Sequence, residues 1–143
     1  MAKVIYTAEA HVTGGREHGH GRTSDGVLDV QLRAPTDTDE KGTNPEQLFA
    51  VGYAACFEGA LGVVGRREKV DLGEVAIDSS VDLVTTEERG FTVGVKLDVS
   101  LPGVADAEQA KSIVAAAHQV CPYSNATRGN VDVELIANGQ PVD

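Results

Sequence analysis

Cations are scarce in this chain of 143 residues: 12 Lys and Arg stand against 22 Asp and Glu, a net charge of −10. That balance argues against nucleic acid and against anionic membrane surfaces, both of which need clustered positive charge. Tryptophan is absent and aromatic content is low. No uninterrupted apolar run approaches the roughly 20 residues of a membrane helix, so no membrane insertion is expected. The opening residues Met1-Ala2-Lys3-Val4-Ile5-Tyr6 lack a charged-then-apolar signal pattern, so a cytoplasmic protein is expected. There is no P-loop, no G-x-G-x-x-G and no G-x-S-x-G. Only two cysteines occur, Cys56 and Cys121, 65 residues apart, which excludes a C-x-x-C redox pair.

The length suits one domain, residues 1–143, with a modest core. Residues 3–13 favour strand until Gly14-Gly15 breaks the run. Thr23-Ser24-Asp25-Gly26 signals a turn. Leu28, Val30 and Leu32 then alternate with polar residues as in a half-buried strand. Residues 34–43 read as a loop. Asn44 and Pro45 are a fitting N-cap and first residue for a long helix. Its small apolar stripe is Leu48, Gly52, Cys56, Ala60 and Val63. Residues 74–84 and 91–99 form a predicted hairpin around Glu87-Glu88-Arg89-Gly90. A second helix starts near Asp106, with Gln109 completing a capping box and Ala110, Ile113, Val114, Ala117 and Cys121 as its stripe. Pro122 breaks it, and Ser124-Asn125 is expected to loosen the chain there. A last strand covers 131–137. Short turns between neighbouring strands favour antiparallel pairing and an α+β fold.

Two readings of the cysteines stand side by side. Each can be a small hydrophobe in a core, the usual place of a free cysteine. Alternatively one attacks and the other closes a disulfide behind it. The second reading needs a cation beside Cys56. Lowering a thiol from about 8.5 by about two pH units requires about 2.7 kcal/mol of differential stabilisation. Arg33, Arg66, Arg67 and Arg89 read as surface charges, and Arg128 as a cap before the last strand. Arg16 follows Gly14-Gly15, where the backbone can bend and present a side chain, although a solvated loop charge fits the same pattern. Glu46 could hold such an arginine, or could simply complement the helix dipole. Glu46 and Cys56 are ten residues apart, about 15 Å along one helix, too far for one arginine to serve both. Two antiparallel copies of the helix, one from each subunit, would solve this and imply a two-fold dimer with composite sites. His18 and His20 are a weak metal signal without C-x₂₋₄-C or H-x₃₋₅-H spacing, so no metal is expected. His118 reads as structural.

The segments Gly42-Thr43-Asn44-Pro45-Glu46-Gln47-Leu48-Phe49, Gly52-Tyr53-Ala54-Ala55-Cys56-Phe57 and Cys121-Pro122-Tyr123-Ser124-Asn125-Ala126-Thr127-Arg128-Gly129-Asn130 resemble the organic hydroperoxide resistance proteins of the OsmC superfamily. Tyr6-Thr7-Ala8, Gly14-Gly15-Arg16 and 24–30 extend the resemblance over nearly the whole chain. It implies an OsmC-like fold, with antiparallel sheets wrapped around two central helices in an intertwined homodimer. It also implies a thiol peroxidase acting on organic hydroperoxides, including lipid-derived ones. Cys56 would be the peroxidatic thiolate and Cys121 the resolving thiol. Arg16 would stabilise the thiolate and polarise the peroxide, and Glu46 would orient Arg16. Dihydrolipoyl groups on lipoylated proteins, or dihydrolipoamide, would reduce the disulfide, with no metal or bound cofactor. The His-rich stretch Glu17-His18-Gly19-His20-Gly21 lies where that family varies. Phe49, Tyr53 and Phe57 would line an apolar entry favouring bulky peroxides. The competing classes are a superfamily relative with another peroxide or thiol preference, a small-ligand carrier and a His/Cys metal protein.

Overall fold

Seven strands and four helices follow one another in the computed structural model, which describes residues 2–143 and divides into two compact units, up to Leu48 and from Phe49 onward. In the first unit β1 (Ala10–Thr13), β2 (Gly19–Thr23) and β3 (Asp29–Arg33) form an antiparallel sheet in the order β1-β2-β3. The one-turn helix α1 (Gly15–His18) joins β1 to β2. Gly14 is left-handed at φ 78°, and a Cβ there would lie 2.4 Å from the His18 carbonyl oxygen, so the bend requires glycine. The β2–β3 turn is tied by Asp25, whose carboxylate accepts from the Thr23 hydroxyl and the Val27 N–H. Arg33 is no surface charge. Its guanidinium donates to the carbonyls of Gly19 and Leu32 and to Glu40, which pins the 34–43 loop.

The strand expected over 3–13 is confined to β1. Residues 2–9 form no strand, and Val4, Ile5 and Tyr6 stand exposed. Strand-like composition orders a segment only when a neighbouring strand takes up its backbone groups.

Helix α2 runs Pro45–Glu68. The Asn44 side chain accepts from the Gln47 N–H at 2.9 Å, the expected N-cap. At its other end Lys69 is left-handed, with Val70 N–H bonded to Gly65 O and Lys69 N–H to Arg66 O, a Schellman stop. The buried face is Tyr53, Phe57, Ala60, Leu61, Val64 and Gly65 rather than the predicted stripe, of which only Ala60 is buried. The larger side chains beside that stripe decide the orientation, because they remove more apolar area from water. The expectation on membrane-length segments also needs correction. Uninterrupted runs are short, but α2 holds an 18-residue window of mean hydropathy 1.6, long and apolar enough by composition to cross a bilayer. Its Tyr53–Phe57–Leu61–Val64 face is occupied by the core, as in the central helix of a globular unit.

From Phe49 onward the sheet order is β4 (Ala76–Thr85), β5 (Phe91–Ser100), β6 (Val133–Ala137), β7 (Gln140–Val142). The β4–β5 hairpin is antiparallel as predicted, but β6 lies parallel to β5. The link between them is a crossover through α3 (Ala107–Val120) and α4 (Pro122–Thr127), and a parallel pair needs such a connection. Asp106 caps α3 by accepting from the Glu108 and Gln109 N–H groups. Strand β7 was not predicted, although Asn138-Gly139, both at positive φ, carry the two-residue hairpin signal. Leu97, Val99, Leu101, Ile113, Val114, Ala117 and Cys121 are fully buried between sheet and helices, with Tyr53, Phe57 and Leu61.

Candidate active site

Cys56 sits half-buried in mid-α2, and Cys121 is fully buried at the joint between α3 and α4. Their sulfurs are 3.6 Å apart and unbonded. The joint follows from Pro122, which keeps the preceding residue extended, and Cys121 has φ −62° and ψ 124°. The Cys121 N–H closes α3 on Ala117 O, and its carbonyl opens α4 by accepting from Asn125 N–H. The loosened segment expected here is therefore a second helix, and Ser124 is fully buried in it. Proline provides no N–H but suits a first helical position, so it starts a new helix while ending the old one.

The Cys56 thiol is pushed up by burial, and further by the neighbouring Cys121 thiol. The backbone at Tyr123 works in the opposite sense. Burial wins, so the groups around Cys56 from Phe49 onward leave it a thiol, and a thiolate still requires a cation.

Arg16 and Glu46 meet within the first unit. Arg16 Nη2 lies 2.6 Å from both Glu46 carboxylate oxygens. The two-point pair anticipated from sequence thus uses a single guanidinium nitrogen, and Glu46 leaves the rest of the fork unused. The Arg16 side chain is 45% exposed and that of Glu46 16%. Arg16 holds the Glu46 carboxyl below its usual range against the effect of burial, with help from the helix backbone. Glu46 in turn raises the guanidinium.

Sequence reasoning missed a buried hydroxyl cluster beside the thiols. Tyr53 Oη lies 2.8 Å from Ser124 Oγ and 3.2 Å from Thr127 Oγ1, and the Thr127 hydroxyl donates to Ser124 O at 3.2 Å. The signal was spacing: Tyr53 precedes Cys56 by three residues and Ser124 follows Cys121 by three, one helical turn in each case. Phe49, Tyr53 and Tyr123 pack their rings together at centroid distances of 5.6–5.7 Å. Tyr53 and Phe57 are fully buried core residues and do not line an open entry, as the sequence reading had them.

Arg128 does not cap the turn before β6. It reaches back from α4 to the His118 carbonyl, and to Asn125 Oδ1 at 2.8 Å. His118 is half-buried with an unpartnered Nδ1, and burial, with Arg128 nearby, holds its ring below the usual imidazole range. His20 pairs with Asp29. Among the described residues no group of three His, Cys, Asp or Glu is placed to hold a metal ion.

The family model for OsmC-like proteins matches residues 37–136. The chain belongs to the OsmC family. Within it, the organic hydroperoxide resistance protein of Xanthomonas axonopodis pv. citri is 53% identical over 137 residues, covering 93% of this chain and 94% of that one. The crystal structure of the organic hydroperoxide resistance protein OhrB of Bacillus subtilis superposes with a TM-score of 0.87 at 46% identity, covering 93% and 98% of the two chains. A similar protein of Vibrio cholerae, solved with captopril in one of its active sites, gives 0.90 at 41% identity over 98% and 96%. The α+β, OsmC-like fold expected from sequence is the one these structures share.

Proposed function

We propose that this protein confers resistance to organic hydroperoxides as a cysteine-based peroxidase. The observation that carries the reading is the contact of the two free sulfurs at 3.6 Å. Closing that gap to a disulfide takes about 1.5 Å of movement. In the first step the Cys56 thiolate attacks the terminal peroxide oxygen, the O–O bond breaks, and the alcohol leaves with a proton. Cys56 is then a sulfenic acid. Next, the Cys121 thiolate attacks that sulfur, forms the disulfide and expels the oxygen as water. A dihydrolipoyl dithiol, free or on a lipoylated protein, exchanges with the disulfide and is itself oxidised to the cyclic disulfide.

Arg16 provides the cation. Its positive charge favours thiolate over thiol, and the part of its fork unused by Glu46 can polarise a peroxide oxygen. The reading includes a homodimer with composite sites. The exposed Val4, Ile5 and Tyr6 and the 72% exposed Val51 of α2 support a second copy as partner. The reaction is placed in the cytoplasm, where two such thiols are kept reduced.

Thiol titration tests the proposal. One equivalent of cumene hydroperoxide removes both thiols of the reduced protein as an intrachain disulfide. Cys56→Ser brings turnover down to the uncatalysed rate. Cys121→Ser consumes one equivalent and stalls until an outside thiol is added. Full turnover by Cys56→Ser, or by a monomer in sedimentation, sinks the corresponding part of the reading. Comparing dihydrolipoamide with thioredoxin and glutathione identifies the reductant.

A further inference from the structure

We propose that the buried hydroxyl cluster Tyr53–Ser124–Thr127 is a positioning device for the thiol pair, fixing α4 against α2 so that the Cys121 sulfur is presented to Cys56. The argument starts from what those hydroxyls cost. Tyr53 and Ser124 are fully buried and Thr127 is 6% exposed. A hydroxyl removed from water without a partner costs about 1–3 kcal/mol, so three of them persist in a core only where their bonds are met. One arrangement of the three protons meets them all. Ser124 donates to Tyr53 Oη, Tyr53 donates to Thr127 Oγ1, and Thr127 donates to the Ser124 carbonyl. That chain closes only when α4 lies at one height along α2, so it specifies register where an apolar contact would allow sliding.

The location of the bridge gives this register a consequence. It spans the same two helices as the sulfurs and lies one turn from each. A shift of α4 that breaks the Tyr53–Ser124 bond also moves Cys121 off Cys56. The ring contacts of Phe49 and Tyr123 keep α4 close without fixing its height, since stacked rings tolerate offset. Tyr53, Ser124 and Thr127 are thus positioning residues acting through Cys121.

The assignment takes its purpose from the peroxidase reading, but its test uses no peroxide. The protein is equilibrated with mixtures of reduced and oxidised glutathione, and the effective concentration of the Cys56–Cys121 pair is read from the disulfide fraction. Tyr53→Phe and Ser124→Ala each lower it about tenfold, a potential about 30 mV less reducing. The double variant loses no more than either single one, because both remove the same bridge. Thr127→Val gives a smaller loss, and Thr127→Ser restores the wild-type value. Tyr53→Phe keeps the ring and Ser124→Ala removes one buried oxygen, so the result does not rest on one variant folding. Wild-type effective concentration in both, or a rise in either, overturns the proposal. Absence of peroxide turnover in the wild-type protein would sink the peroxidase reading and leave this comparison decisive for the hydroxyl cluster.

Discussion

From Phe49 to Asp143 the chain gathers 18 buried hydrophobic residues into one cluster, whereas up to Leu48 the described residues bury one, Leu32. The thiol pair stands on the first of these and the guanidinium on the second. Cys121 is part of the core itself, so its position is set by close packing. Arg16 is set by polar bonds instead: the left-handed Gly14, the one-turn α1 and the pair with Glu46. On the proposed reading, the two thiols must meet at bonding distance and gain from a rigid platform, whereas the cation must first hold a thiolate and then follow a peroxide and gains from a lightly held one. Core changes away from the thiols should accordingly show up in stability, and changes at Arg16 in turnover.

Arg16→Ala should break the comparison most sharply if it is wrong. On the proposed reading, removing the cation leaves burial in charge of Cys56, which pushes its thiol up. A cysteine without a cation beside it is mostly protonated at pH 7. Turnover should fall by at least about tenfold, and the pH midpoint of iodoacetamide labelling at Cys56 should rise. The urea midpoint should not move, because an exposed side chain outside the core carries little stability. A variant that keeps its turnover, or that unfolds, contradicts the division of labour.

Leu97→Ala sharpens the same contrast from the other side. Leu97 is fully buried, and such a truncation costs about 2–5 kcal/mol. Val12→Ala in β1, where the side chain is 56% exposed, should stay within about 0.5 kcal/mol. Urea denaturation of the two variants checks this, and equal losses would show that both regions share one core.

The contrast also explains what was legible in the sequence. Local chemistry was: Asn44 and Asp106 cap their helices, Ala110, Ile113, Val114, Ala117 and Cys121 face inward, and the 91–99 alternation makes a hairpin strand. The four residues singled out fall into two close pairs, Cys56 with Cys121 and Arg16 with Glu46. Features that depend on distant partners were hidden. The parallel setting of β6 depends on the crossover behind it, and the face of α2 on which neighbours its rings fill. The α4 helix was hidden for another reason, since a proline that ends a helix and one that starts the next look alike. Residues 3–9 show how strand composition without a strand beside it misleads, and Asn138-Gly139 was a plain turn signal left unread.

Glu46→Gln should have the smallest effect. Arg16 holds the Glu46 carboxyl below its usual range. A depressed folded value means that the pair contributes above the ordinary carboxylate value of about 4.3, and is lost only as pH falls through the lower, folded one. Between pH 5 and 8 the carboxylate is therefore ionised throughout, and wild-type turnover should show no limb from it. Glutamine keeps an acceptor oxygen for Arg16 Nη2 but removes the charge. Solvent screens a partly exposed pair of this kind, so turnover should drop about fivefold at most with no change in the shape of the pH profile. Steady-state rates over that range check both points. A loss as deep as that of Arg16→Ala would mean that Glu46 does more than orient the arginine, and a limb near pH 5–6 in the wild type would contradict the depressed carboxyl.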